Sequence, residues 1–266
     1  MARTTGVVAT DLDGTIVRSD GEISQRTRAA IATAEEAGAL VVIVTGRPPR
    51  WLTGIADATG HHGLAICANG ALVYDLQREQ VVESHPLSGE VARDLVKQLR
   101  AAIPGLGFAV ESVDAGFAHD RAYRPRWTVS EGTRVDDIEQ LLQGDLAKLL
   151  ARHEDMDSDQ LLAAASAAVG VETATLTHSS NSGLLEISAA GVSKATTLSA
   201  LCAEHGRAAA DVVAFGDMPN DLPMLSWAGH SVAVANAHPA VLAAVDEVTA
   251  SNDDDGVAQV LERLFT

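Results

Sequence analysis

A short apolar run, Gly6-Val7-Val8-Ala9, gives way abruptly to Thr10-Asp11-Leu12-Asp13-Gly14-Thr15. The run has the composition of a buried strand. Two carboxylates two residues apart stand where that strand ends, and Gly14 lets the backbone turn sharply behind them. In an open α/β sheet, ligands bind in the crevice beyond the carboxyl ends of the strands, so both carboxylates face the expected site. Two charges at such a mouth invite a divalent cation, and one of them could act as a nucleophile. Taken alone, the same residues also describe a solvated strand-end turn.

The pattern recurs along the chain. Ser24 to Gly38 reads as a helix with Ser24 as N-cap, Ile31 and Ala34 facing inward, and Gly38 as the stop. Ala39 to Val44 then shows no polar alternation, which suits a parallel strand covered on both faces, and it ends in Thr45-Gly46-Arg47-Pro48. Strand, helix and strand make a βαβ unit. If the two strands are neighbours, Thr45 shares a sheet edge with Asp11. A further helix is expected over Trp51–Thr59 and a strand over Leu64–Cys67. Asn69-Gly70 marks a tight turn, with Leu72-Val73-Tyr74 returning as a hairpin. His61-His62 is expected in an exposed loop. Much later, Gly191-Val192-Ser193-Lys194 opens a helix through Leu201. Asp211 to Phe215 is again a buried strand, ending in Gly216-Asp217-Met218-Pro219-Asn220-Asp221. Ser231–Val234 and Glu247–Thr249 read as the last strands, and Asp255 begins the final helix.

Between these halves the texture changes. Helices over Ser88–Ile103, Val135–Leu142 and Ser158–Val169 mix with strands over Phe108–Val113, Leu146–Arg152, Val171–Thr177 and Leu184–Ile187. This is the signature of an α+β module with an antiparallel sheet half covered by helices. The expected organisation is therefore a core of residues 1–83 and 188–266, interrupted by an inserted module over 84–187. Two features inside the module stand apart. Asp155, Asp157 and Asp159 mimic the start of a calcium loop, but Gln160 and Ser166 stand where that loop needs Gly and Glu; a turn placing acidic charge before a helix fits better. Arg121, Arg124 and Arg126 form a basic cluster, either a contact for a charged substrate or a solvated loop.

Composition narrows the function classes. With 19 Lys and Arg against 36 Asp and Glu, the formal net charge over 266 residues is -17, which repels nucleic acid and anionic membrane surfaces. A phosphate substrate would be repelled too, unless a cation and a few placed basic groups reverse the local field. Cys67 and Cys202, the two cysteines, lie in apolar surroundings and read as buried thiols of a reducing compartment. Neither a signal peptide nor an apolar run long enough to span a bilayer is evident, so a cytoplasmic protein is expected. The sequence does not specify an oligomeric state.

Taken together, three apolar strands end in Asp11 and Asp13, in Thr45-Gly46, and in Asp217, Asn220 and Asp221, while a helix start supplies Lys194. Four carboxylates in one crevice do not all ionise cheaply without a cation, and oxygen ligands with water favour Mg²⁺. A hydroxyl and an ammonium beside the metal suit the oxygens of a phosphoryl group. No GxxxxGK[ST] or GxGxxG stretch appears, so nucleotide cradling is unsupported.

These motifs, in this order, resemble those of the haloacid dehalogenase superfamily, and the inserted module resembles the C2 cap of its Cof-type sugar-phosphatase branch. Ala68-Asn69-Gly70-Ala71, Leu185-Glu186-Ile187 and Asn252 to Val257 look like that branch as well. The resemblance implies a Rossmann-like parallel-sheet core and a Mg²⁺-dependent phosphatase of small phosphate esters, sugar phosphates foremost. It implies Asp11 as nucleophile and Asp13 as the acid and then the base. Mg²⁺ would be held by Asp11, the main-chain oxygen of Asp13, and Asp217. Thr45, the Gly46 amide and Lys194 would hold phosphoryl oxygens, with Asn220 and Asp221 positioning metal-bound water, Lys194 and the phosphate. The other readings weighed are a phosphosugar mutase and a non-catalytic phosphometabolite-binding protein; a binder would have no need of Asp13.

Overall fold

The computed structural model describes residues 5–266, which divide into two compact units: residues 5–83 with 193–266, and residues 84–192. The first element of the described residues is strand β1 (Val7–Thr10), every residue buried. Helix α1 (Gln25–Glu36) follows, its first turn capped by Ser24, whose hydroxyl accepts the Thr27 amide at 3.0 Å; Gly38, at φ +86°, supplies the stop. Strand β2 (Leu40–Val44) comes next. The single helix expected over Trp51–Thr59 is broken. A short 3₁₀ turn over Pro49–Trp51 is separated from α2 (Ile55–Thr59) by Gly54 at φ +80°, a conformation no α-helix contains. Strand β3 (Leu64–Cys67), the turn Ala68–Gly70, and strands β4 (Leu72–Asp75) and β5 (Gln80–Ser84) complete this half.

The insertion starts with β6 (Leu87–Ser88) and α3 (Gly89–Ala102). Ser88 caps α3, which buries Ala92, Leu95, Val96 and Leu99, one stripe at helical spacing. Strands β7 (Gly107–Ser112), β8 (Gly116–His119) and β9 (Arg134–Val135) follow, then a one-turn helix α4 (Ile138–Leu141). The helix expected from Val135 is thus shorter, because Arg134 and Val135 pair with β8. Strand β10 (Asp145–Arg152), helix α5 (Ser158–Ala168), and strands β11 (Ala174–Thr177) and β12 (Leu184–Ala189) close the unit. Val171, expected in a strand, is 82% exposed and lies outside it. In this unit β11, β12, β10, β7 and β8 pair antiparallel in that order, and β9 joins β8 parallel. Phe108, Val110, Leu149, Ala151, Leu185 and Ile187 share a core with α3 and α5. The expected return to the first unit at residue 188 falls within β12, and the unit runs to Val192.

Helix α6 (Lys194–Glu204) re-enters the first unit, followed by β13 (Val212–Gly216), α7 (Leu222–Trp227), β14 (His230–Ala233), α8 (Pro239–Leu242), β15 (Glu247–Val248) and α9 (Gly256–Phe265). The first unit's sheet runs β15-β14-β13-β1-β2-β3-β4-β5, parallel from β15 to β3, with β4 antiparallel to β3. Its middle strands read as unbroken apolar runs, since both faces are covered. β1 lies between β13 and β2, with Thr10 level with Phe215 on one side and Ile43 on the other. The residues just beyond these three strands therefore emerge side by side.

Candidate active site

Asp11 follows β1, Asp217 follows β13, and Thr45 follows β2, so strand order alone brings them to one edge. Lys194 comes from the first position of α6, whose start is set by a capping box: Ser193 accepts the Thr196 amide, and the Thr196 hydroxyl accepts the Ser193 amide. The ammonium is fully buried and donates to Asp11 Oδ1 at 2.7 Å and to Asp221 Oδ1 at 2.6 Å. Asp221 uses its other oxygen to accept the amides of Asp217 and Met218, both at 3.0 Å. It is thus the organiser of the β13 loop as well as the second partner of Lys194. Asp217 in turn accepts the Thr15 hydroxyl at 3.0 Å.

Burial pushes Asp11 well above the usual carboxylate range, and Asp221 and Asp217 add to the effect against the pull of Lys194. Asp217 is raised to about 7, by burial first and by Asp221 second. For Lys194 burial acts downward, yet Asp11 and Asp221 outweigh it and hold the ammonium above its ordinary value.

Oxygens of Asp11, Asp217 and Asp221 lie within 4.8 Å of one another. Once ionised, three carboxylates against one ammonium would leave two negative charges uncompensated, and all the donors are hard oxygens. Such a set fits a divalent cation. Since the Asp221 oxygens are committed to Lys194 and to two amides, Asp11 and Asp217 are the better placed ligands.

The other residues expected at the site are arranged as follows. Thr45 is buried, and its hydroxyl accepts the Arg47 amide at 3.0 Å. Gly46, beside it, is half-buried. Asn220 is buried and donates to Asn69 Oδ1 at 3.0 Å. Asp13 differs from Asp11: its side chain is 58% exposed and is gripped by Arg47, Nε to Oδ2 at 2.8 Å and Nη2 to Oδ1 at 2.5 Å. Arg47 and Asn69 were not singled out as site residues in the sequence, although each sits in a quoted motif.

Several expectations resolve into structural roles. His61 is buried, not exposed, with Nδ1 2.6 Å from Glu35 Oε1 on α1; the loop folds inward because Gly60, at φ +76°, ends α2 there. Asp157 caps α5 in a capping box with Gln160, and Asp159 meets His178 Nε2 at 2.9 Å, so the acidic triplet does not form a calcium loop. Asp120 accepts the amides of Phe108, Ala122 and Tyr123 and seats the basic loop of the second unit, where Arg121, Arg124 and Arg126 are exposed. Cys67 and Cys202 are buried free thiols. Among the described residues, no helix is long and apolar enough to cross a membrane.

A Rossmann-like core with buried carboxylates and a lysine at one strand edge, interrupted by a C2-type α+β module, defines a class of phosphoryl-handling hydrolases. The model of the haloacid dehalogenase-like hydrolases matches residues 8–261, and the chain belongs to that family. Pyridoxal phosphate phosphatase YbhA of Escherichia coli is 29% identical over 97% of this chain and 98% of its own length. A 5-amino-6-(5-phospho-D-ribitylamino)uracil phosphatase of Bacillus subtilis, YitU, is 29% identical over 98% of this chain and 97% of its own. Among solved structures, the phosphatase BT1666 of Bacteroides thetaiotaomicron superposes with a TM-score of 0.80 at 24% identity, covering 99% of this chain and 96% of that one. The chain is an enzyme of the phosphatase type.

Proposed function

We propose that this chain is a Mg²⁺-dependent phosphatase of small phosphorylated metabolites, sugar phosphates foremost, working through an aspartyl-phosphate on Asp11. The observation that carries the reading is the Lys194 ammonium shared between Asp11 and Asp221 beside Asp217. On this reading Asp11 is the nucleophile, Asp11 and Asp217 are cation ligands, and Lys194 is the phosphoryl-binding charge, all of them buried.

Asp11, the main-chain oxygen of Asp13, and Asp217 would hold Mg²⁺, which when bound neutralises charge on the phosphoryl oxygens. A carboxylate oxygen of Asp11 attacks phosphorus while the bond to the leaving oxygen breaks. Asp13, once released from Arg47 and protonated, hands its proton to that oxygen. Asp13 then takes a proton from water as the water attacks phosphorus, and the bond from phosphorus to Asp11 breaks to return the free enzyme. Thr45, the Gly46 amide and Lys194 bind the oxygens that carry charge in both steps, while Asn220 and Asp221 support the site. Positioning and neutralisation supply most of what phosphoryl transfer needs. On this reading the second unit, residues 84–192, would select the leaving group, with Arg121, Arg124 and Arg126 as candidates for an anionic one. A soluble cytoplasmic enzyme acting on small esters, and not on nucleic acid or membranes, fits the charge of -17.

The test is phosphate release from a panel that includes hexose phosphates, pyridoxal phosphate, phosphoribityl compounds and p-nitrophenyl phosphate, with and without Mg²⁺. Turnover of at least one small ester that needs Mg²⁺ and disappears in Asp11→Asn is expected. No turnover across the panel, or turnover retained by Asp11→Asn, would overturn the reading.

A further inference from the structure

The turn after β3 is strained, and it meets three parts of the site. Ala68, Asn69 and Gly70 have φ of 49°, 59° and 106°, a run of left-handed backbone that L residues rarely adopt. The strain is held in place from both sides. Ala68 donates to the Arg47 carbonyl at 2.9 Å, and Asn69 donates to the Thr45 carbonyl at 3.1 Å. The Gly70 carbonyl accepts the Thr197 hydroxyl at 2.7 Å, and a side chain at Gly70 would overlap the Ser193 carbonyl at the start of α6. Asn69 is therefore fixed between the segment that carries Thr45 and the helix start that carries Lys194. Its Oδ1 accepts from Asn220, next to Asp221.

Both amides are buried and each is half used. Asn69 Nδ2 and Asn220 Oδ1 have no hydrogen-bond partner. A buried donor left unpaired is costly, and buried polar groups are nearly always satisfied unless a ligand completes them. A phosphoryl group offers only acceptors, so of the two atoms it can satisfy only the donor.

Building on the reading of the site as a phosphatase centre, we propose that Asn69 is a further phosphoryl-binding residue, its spare side-chain N–H donating to a non-bridging oxygen beside Thr45 and Lys194. The turn's strain then has a function: it holds a neutral, pre-aimed donor where a flexible side chain would have to be ordered at each turnover.

The probe is orthovanadate with Mg²⁺, titrated calorimetrically into wild type, Asn69→Gly and Asn69→Asp. Glycine keeps the positive φ and removes the donor; aspartate keeps the shape and replaces donor with acceptor. Both should bind vanadate more weakly, by on the order of ten- to a hundredfold, aspartate the more so. In wild type, the Asn69 side-chain amide protons should shift downfield in NMR spectra on adding vanadate, a readout that needs no variant to fold. Affinities within about twofold of wild type, an unmoved amide resonance, or a loss that follows Asn220→Ala alone would overturn the assignment of Asn69. Failure of wild type itself to bind vanadate would overturn the phosphatase reading with it.

Discussion

Arg47 holds Asp13 in a two-pronged grip, with Nε and Nη2 on the two carboxylate oxygens, while its Nη1 reaches the Trp51 carbonyl at 3.3 Å. The planar fork matches a carboxylate in a way a lysine does not. As leaving-group acid Asp13 has to leave this grip, which occupies both its oxygens, and Arg47 sets where that carboxylate waits between turnovers. Arg47→Ala should lower kcat/KM for an alkyl phosphate by roughly tenfold, and by much less for p-nitrophenyl phosphate, whose leaving group needs little protonation. Arg47→Lys should fall nearer to Ala than to wild type. Steady-state rates on both esters decide the matter; equal losses on the two would detach Arg47 from the acid.

Removing Asp13 itself should separate the two chemical steps. In Asp13→Ala the first step with p-nitrophenyl phosphate should survive, while hydrolysis of the intermediate slows for want of a base. Rapid mixing should show a burst of nitrophenol of about one per site followed by slow turnover. Absence of a burst, with alkyl and aryl esters slowed alike, would leave Asp13 with a structural role only.

Chelation should abolish phosphate release and Mg²⁺ should restore it. Ca²⁺ should substitute poorly, because its larger and looser shell misplaces groups that a tight octahedral ion aligns. Mg²⁺ should also raise the melting temperature of wild type and do so less in Asp217→Asn, since binding to the folded state stabilises it. Activity that survives exhaustive chelation contradicts the metal assignment.

Lys194→Met leaves Asp11 and Asp221 buried without their shared cation. Breaking a buried pair in this way costs about 3–5 kcal/mol, so in the absence of metal Tm should drop by on the order of ten degrees. Scanning calorimetry of the metal-free variant measures this directly. A drop of only a degree or two would show that the two carboxylates readily find other compensation.

Gly14→Ala should act on the metal site more than on the fold. Gly14 has φ +75°, and a side chain there would overlap Asp217 Oδ2. Displacing that carboxylate should weaken Mg²⁺ by about tenfold or more while the circular dichroism spectrum is retained. Titration calorimetry with Mg²⁺ reads the effect, and unchanged affinity would argue against Asp217 as a ligand.

What the sequence by itself determined is local. Four strands show as apolar runs with polar ends, at Val7–Thr10, Leu40–Val44, Leu64–Cys67 and Val212–Gly216. Ser24 and Ser193 mark where α1 and α6 begin, because a cap and a periodicity are written within one or two turns of chain. A lone glycine inside a helical pattern is a weaker signal, so the pattern over Trp51–Thr59 does not disclose the break at Gly54. His61 likewise read as a loop residue, since its partner Glu35 lies on another element. Only the tertiary structure decided which strand ends stand together. Placing β1 between β13 and β2 brings Lys194 onto Asp11 across 183 residues, and Thr15 onto Asp217 across 202. It also gave Asp221 its second task, turned Arg47 onto Asp13, and left the Asn69 amide half used. Such pairings depend on strand order and on how side chains fill a shared interior, and no local stretch of sequence encodes either.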